Sequence, residues 1–169
     1  MGRTTRVVTL GLCLLGASEA GASLVNGASC TPGDPAIQND RYLIVAGSVN
    51  YKGAGSGLVT LYCHPVIERC PLGNRLLMTY TDSDGTGNAV SVKAQLISLS
   101  PQDGFLFFVP GAQILPNVSD VTVPTSQRAS FGFLFDPSRT YTYIRVDMNR
   151  APGTTHVATL YGVGVECVQ

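Results

Sequence analysis

An all-β fold is predicted for this chain: a two-layer antiparallel β-sandwich with jelly-roll or Greek-key connections and about eight strands. Three observations carry the prediction. Apolar and polar residues alternate with period two over several stretches, most cleanly at residues 76–99. Turn signals built from Gly, Pro, Asp and Asn separate those stretches, and nineteen Gly and ten Pro supply them. No stretch repeats its apolar residues with the 3.6-residue period of an amphipathic helix.

The first residues belong to export rather than to the fold. Arg3 and Arg6 precede an apolar run from Val7 to Ala17, and Ser18-Glu19-Ala20 and Ala20-Gly21-Ala22 offer small-x-small cleavage sites. Residues 1–22 therefore read as a secretory signal peptide. The apolar run is too short for the roughly 20 helical residues that cross a bilayer, so no membrane span is expected after cleavage. The mature chain is expected in a secreted, periplasmic or cell-surface location. Cys13 leaves with the leader and Cys30, Cys63, Cys70 and Cys167 remain, an even number in an exported chain, which points to disulfides. Of the three pairings, Cys63–Cys70 with Cys30–Cys167 is expected; the main rival is Cys30–Cys63, leaving Cys70 and Cys167 to pair or stay free.

Residues 23–41 carry Asn26-Gly27, Pro32-Gly33 and Asp34-Pro35 and are expected to be an irregular lead-in to a single domain over 42–169. Strand signals follow at Tyr42 to Val49 and Leu58 to Cys63, separated by the Gly-rich KGAGSG. That loop lacks the Lys-Ser/Thr pair and the following helix of a phosphate-binding loop and reads as a flexible hairpin connection.

In residues 76–99, Leu76, Met78 and Tyr80 precede an Asp/Gly turn, and Val90, Val92, Ala94 and Leu96 follow it, so a hairpin is expected. Phe105 to Val109 is apolar throughout and is most simply a strand buried on both faces, the alternative being a hydrophobic patch awaiting a partner. Gln113 to Leu115 and Asp120 to Val123 are short and Pro-bounded, suited to edge strands or loop. Phe131 to Phe135 is a strand stopped by the turn Asp136-Pro137-Ser138. Tyr141 to Met148 and His156 to Cys167 complete the set.

Composition narrows the function. Only 13% of residues are charged, eleven basic against eleven acidic, and loss of the leader leaves nine against ten. Electrostatic capture of nucleic acid is not expected of such a chain.

Chemistry has few places to reside. Asp82, Asp84 and Asn88 place oxygen ligands at alternate positions of a Gly-containing turn, a calcium candidate. Lys93 stands where an EF-hand would need its closing Glu, and the same residues satisfy a plain turn. His64 and His156 with Cys63 and Cys70 could be drawn as a zinc set, but their spacing matches no standard site. The histidines with Asp147 or Glu68 could serve a hydrolase, yet no nucleophile motif accompanies them, so no catalytic residue is assigned. Tyr51, Tyr62, Tyr141, Tyr143 and Tyr161 raise a different possibility, an aromatic platform for sugars, provided they share one exposed face. Asn117-Val118-Ser119 is a glycosylation sequon.

Asn26-Gly27-Ala28-Ser29-Cys30, Cys70-Pro71-Leu72, Tyr80-Thr81-Asp82-Ser83-Asp84-Gly85 and Tyr143-Ile144-Arg145-Val146 together resemble a loosely defined group of small, uncharacterised exported bacterial proteins. The resemblance implies bacterial export and a β-sandwich and transfers no catalytic residue; Cys63 and Cys167 depart from its pattern. The leading expectation is an exported, non-enzymatic structural or interaction module without a cofactor, with a protein partner or self-association. A glycan-binding module, with or without the help of calcium, is the alternative, and a small secreted hydrolase the third.

Overall fold

Period-two alternation gives each main strand one apolar face, and the chain hides those faces by stacking two antiparallel sheets. The computed structural model describes residues 23–67, 70, 72–115, 121–132 and 140–168. Among them are eleven strands: β1 (Ser23–Asn26), β2 (Thr31–Pro32), β3 (Tyr42–Val45), β4 (Ser48–Tyr51), β5 (Gly57–Cys63), β6 (Asn74–Asp82), β7 (Val90–Leu99), β8 (Leu106–Ile114), β9 (Val121–Phe131), β10 (Tyr141–Arg150) and β11 (Ala158–Cys167). The first sheet runs β3-β4-β11-β6-β9, with β1 also on β11; the second runs β2-β5-β10-β7-β8. In each of the pairs β4/β5, β6/β7, β8/β9 and β10/β11 the two members lie in different sheets. Repeated four times, that exchange is the jelly roll. Eleven strands thus stand where about eight were expected: β1 and β2 come from the N-terminal lead-in, and the expected strand at Tyr42 to Val49 is β3 and β4. A strand expected from Phe131 on meets instead the end of β9 at Phe131, and residues 133–135 lie outside the described residues.

Inward residues of both sheets fill one core, including Val59, Leu61, Leu76, Met78, Tyr80, Val92, Leu96, Ile144, Val146, Leu160 and Val163. A bulge at Tyr161 switches the inward parity of β11 from Ala158 and Leu160 to Val163 and Val165. A second irregularity in the β7–β8 ladder falls at Pro110-Gly111, where Gly111 has φ 78°, and moves the inward set of β8 from Val109 to Ala112 and Ile114.

Several expectations are corrected. Residues 76–99 are no hairpin: β6 pairs with β11 and β9, β7 with β10 and β8, and the seven residues between them arch from sheet to sheet. Alternation requires only that the apolar faces meet, and here they meet across the core. Residues 23–41 are not irregular, since β1, β2, a 3-10 turn (Gly27–Ser29) and a one-turn helix (Pro35–Gln38) lie within them. Strand β1 lies close against Gly162 and Gly164 of β11; a Cβ at Gly162 would stand 2.9 Å from Val25 O, and one at Gly164 would clash with Ser23 O. Tyr42 to Val49 is two strands turned at Ala46-Gly47, whose positive φ values of 48° and 83° are those of a type I′ turn. Phe105 to Val109 is not doubly buried, because β8 is the edge of its sheet and Phe105, Leu106 and Phe108 are exposed. The short Pro-bounded segments expected near 113–123 as edge strands or loop do lie at sheet edges, within the longer edge strands β8 and β9.

The KGAGSG loop connects β4 to β5 across the two sheets and is pinned rather than free. Arg150 Nη1 donates to Gly53 O (2.6 Å) and Gly55 O (3.0 Å), and Nη2 donates to Thr154 O (2.9 Å). These loop carbonyls face a guanidinium, the opposite polarity from a phosphate cradle.

The disulfides are Cys30–Cys63 and Cys70–Cys167, so the expected Cys63–Cys70 and Cys30–Cys167 pairings are corrected to the rival arrangement. Register explains it. Thr31 pairs with Tyr62, which brings Cys30 beside Cys63 in the second sheet. Cys167 pairs with Asn74 in the first sheet, four residues after Cys70. The leader at 1–22, Glu68, the sequon at 117–119 and the turn at 136–138 lie outside the described residues.

Candidate functional site

The outward face of the β2-β5-β10-β7-β8 sheet gathers aromatic and charged side chains in rows set by strand register. Tyr143 on β10 is opposite Ile97 on β7, which is opposite Phe108 on β8. Tyr141, Leu99 and Leu106 form the parallel row on one side. On the other side Gln95, Arg145, Tyr62 and Thr31 follow one another across β7, β10, β5 and β2. Lys93, Asp147 and Thr60 make the next row. Because alternate residues of a strand share a face, Tyr141, Tyr143, Arg145 and Asp147 all point outward while Ile144, Val146 and Met148 enter the core.

Tyr62 and Tyr143 meet edge to face, centroids 5.4 Å apart and planes at 85°. The His64 ring lies 6.0 Å from Tyr143. With Thr31 these side chains line a shallow, open cleft of about 310 Å³. The Tyr62 ring rests against Gly33, where a Cβ would stand 3.1 Å from Cε2. Behind the cleft, the Cys30–Cys63 bridge joins the residues adjacent to Thr31 and to both Tyr62 and His64. Burial, and then the neighbouring Tyr62, push the Tyr143 hydroxyl above its ordinary pKa against the opposing pull of Arg145. It therefore stays protonated and able to donate.

A polar cluster flanks the aromatics. Asp147 is buried, and its Oδ1 accepts from Thr60 Oγ1 (2.8 Å) and Arg145 Nε (2.9 Å), while Lys93 Nζ lies 3.6 Å from Oδ2. Arg145 and Lys93 keep about a third of their side-chain surface in solvent. The site can thus present ring faces, phenol and hydroxyl groups, and fixed cations to one ligand.

The tyrosines divide cleanly. Tyr62, Tyr141 and Tyr143 share this face; Tyr51 is buried with its hydroxyl 2.7 Å from Met148 O, and Tyr161 stands at the bulge of the other sheet. Alternation already put Tyr143, Arg145 and Asp147 on one side of a strand. Thr31, Thr60, Gln95 and Phe108 were missed as partners because only long-range register brings them alongside.

The other candidates serve the arches. Asp82 Oδ1 accepts from Asp84 N (3.0 Å), and Asp84 Oδ2 accepts from Ala89 N (2.6 Å) and Val90 N (3.4 Å). Asn88 lies in the same turn, and no group of three or more His, Cys, Asp or Glu among the described residues is placed to hold a metal. His156 belongs to the neighbouring β10–β11 arch. Its Nδ1 is 2.9 Å from Ser83 O and 3.5 Å from Ser83 Oγ, and its Nε2 is 3.6 Å from Asp84 Oδ1. A carbonyl can only accept, so Nδ1 carries the proton toward Ser83 O and offers the hydroxyl no lone pair. Ser83 Oγ accepts instead from Val157 N (2.7 Å). Ser, His and Asp therefore meet here as a staple between two arches, not as a proton relay. The zinc set is dissolved because Cys63 and Cys70 are in different disulfides.

No protein-family profile matches the chain, and no curated protein sequence matches it. Among solved structures, a xylan-binding module, CBM15, is 11% identical, with 89% of this chain and 99% of that one covered at a TM-score of 0.48. A family 29 carbohydrate binding module from Piromyces equi is 9% identical, covering 86% and 90% at a TM-score of 0.40. A family two carbohydrate esterase from Cellvibrio japonicus is 15% identical at a TM-score of 0.42, this chain spanning 35% of its length. At TM-scores below 0.5 these likenesses assign nothing, and the site stands on its own geometry.

Proposed function

We propose that this protein is an exported glycan-binding module whose site is the outward face of the β2-β5-β10-β7-β8 sheet. One observation carries the reading: Tyr62, Tyr141 and Tyr143 share that face, with His64 and Thr31 completing a cleft around two of them. A pyranose ring has apolar C–H faces and an equatorial girdle of hydroxyls. Aromatic faces stack on the first, and adjoining donors and acceptors pair with the second. Tyr143 supplies the ring and Arg145, Gln95 and Thr31 supply the girdle. The edge-to-face setting of Tyr62 and Tyr143 makes a corner rather than a plane, which suits a separate chain better than a flat crystalline surface. The reading narrows the wider expectation of an interaction module to one kind of partner, and its two disulfides suit an oxidising, extracytoplasmic compartment.

The test is isothermal titration and affinity electrophoresis against soluble polysaccharides. Tyr143→Ala and Tyr62→Ala each weaken binding about tenfold or more, the equivalent of about 1.4 kcal/mol or more. Tyr161→Ala, on the opposite sheet, leaves binding unchanged. Equal binding by all three variants would sink the reading.

A further inference from the structure

We infer that the polysaccharide recognised is acidic, a uronate-bearing chain whose carboxylate is taken by Arg145; this rests on the glycan reading above and adds the charge class of the ligand. On the outward side of these strands the charged residues are Lys93, Arg145 and Asp147, so two cations stand against one carboxylate, Arg150 of β10 having the inward parity of Met148. That carboxylate is already spent. Its Oδ1 is bound by Thr60 and Arg145 Nε, and its Oδ2 faces Lys93.

Arg145 therefore uses only its inner nitrogen on Asp147. The terminal nitrogens of the fork make no hydrogen bond among the described residues, and the side chain remains about a third exposed. Asp147 holds the guanidinium by its stem edge and leaves the outer edge, the one that pairs two parallel N–H groups with a carboxylate, turned to solvent.

The position of that fork gives it a use. Arg145 is two residues from Tyr143 on the same outward face of β10 and is the register partner of Tyr62, so it stands at the corner the two rings make. Its charge reaches the Tyr143 hydroxyl, where it opposes the effect of burial. A pyranose stacked on Tyr143 presents its ring substituents to this corner. A carboxylate on the ring can therefore be both stacked and forked, whereas a neutral hydroxymethyl can take only one hydrogen bond. Lys93, one row further and 3.6 Å from Asp147 Oδ2, adds a second positive charge for the next acidic residue.

The experiment compares polygalacturonate and alginate with their carboxyl-reduced, neutral counterparts, by titration at low and at moderate salt. The acidic forms bind at least tenfold tighter at low salt, and the difference shrinks as salt screens it. Arg145→Gln weakens binding of the acidic forms by a larger factor than binding of the reduced polymers and so removes most of that difference, and its far-ultraviolet circular dichroism and cooperative thermal unfolding show the variant to be folded. Lys93→Gln removes a smaller part. Polyglutamate, with carboxylates and no pyranose faces, binds no better than the neutral polymers. If neutral forms bind as tightly as acidic ones and Tyr143→Ala weakens both, the acidic assignment falls and the glycan reading stands. If polyglutamate matches the uronates, the face is an unselective anion patch and the assignment falls. If no polymer binds, both readings fall.

Discussion

At the scale of single residues, Tyr51 shows how a side chain read as a sugar platform becomes part of the frame. Its ring is in the core, its hydroxyl lies 2.7 Å from Met148 O and 2.8 Å from Gly57 O, and the Arg150 guanidinium stands 5.8 Å from the ring centroid. Burial raises its pKa above the ordinary 10.0, with Arg150 and Arg41 only partly opposing. The sign of the pH effect follows. Below pH 10 the phenol is protonated in both folded and unfolded chains; above it the unfolded chain releases the proton and the folded chain does not. Stability therefore falls on the alkaline side, by at most about 1.4 kcal/mol per pH unit from this group. Tyr51→Phe is expected to cost about 1–2 kcal/mol at pH 7 through the lost hydrogen bond. Urea unfolding between pH 9 and 11 should give the variant a flatter decline than the parent, and parallel declines would refute the assignment. The strand signal read from the sequence stops at Val49, two residues short of Tyr51, and only the packing of β4 against β10 tells that its ring is inside.

Among the elements, the two arches at β6–β7 and β10–β11 decide the topology, and they are stitched to one another. Ser83 N donates to Val157 O (3.0 Å), Ala151 N donates to Ala89 O (2.7 Å), and His156 bridges to Ser83 and Asp84. Asp84 is the hub, and Gly87 is required beside it because a Cβ there would run into the Asp84 carboxylate. Asp84→Ala strands the N–H groups of Ala89 and Val90 and is expected to cost about 1–3 kcal/mol, read as a lower urea midpoint at unchanged slope. His156→Ala, which removes a half-exposed partner, should cost less than 1 kcal/mol. Millimolar calcium should leave both midpoints where they are; a calcium-dependent rise lost in Asp84→Ala would put a cation in the turn. The strands flanking this turn were legible from their alternation and the turn from its Asp and Gly. Whether β6 and β7 pair edge to edge or face each other was not legible. Period two dictates which side of a strand is apolar and leaves open which partner covers it.

For the whole molecule, the same limit explains why the sandwich was legible and the site only half so. About eight strand segments, several of them alternating, demand two covered faces, and the parity of Tyr141, Tyr143, Arg145 and Asp147 is visible in the chain. Their neighbours Thr31, Tyr62, Lys93 and Phe108 come from segments far apart in sequence, joined by a jelly-roll register that no local pattern encodes. The cysteines failed for a related reason: spacing made the short Cys63–Cys70 loop attractive, whereas those two residues serve different sheets. The actual bridges divide the labour in a way that can be measured. Loop entropy alone assigns about 3.8 kcal/mol to Cys30–Cys63 and about 4.7 kcal/mol to Cys70–Cys167, from sequence separations of 33 and 97. The longer bridge ties the end of β11 to the segment before β6, both in the sheet that carries none of the cleft residues; the shorter one fixes the β2–β5 pair that carries Thr31 and Tyr62. Cys70→Ser/Cys167→Ser should therefore lose more thermal stability and keep glycan affinity wherever the protein remains folded. Cys30→Ser/Cys63→Ser should lose less stability but weaken binding severalfold at the same temperature, because the cleft walls are no longer held before the ligand arrives. Thermal unfolding paired with titration of the same samples checks this, and a parallel loss of affinity in both double variants would show that the bridge behind the cleft has no part in presenting it.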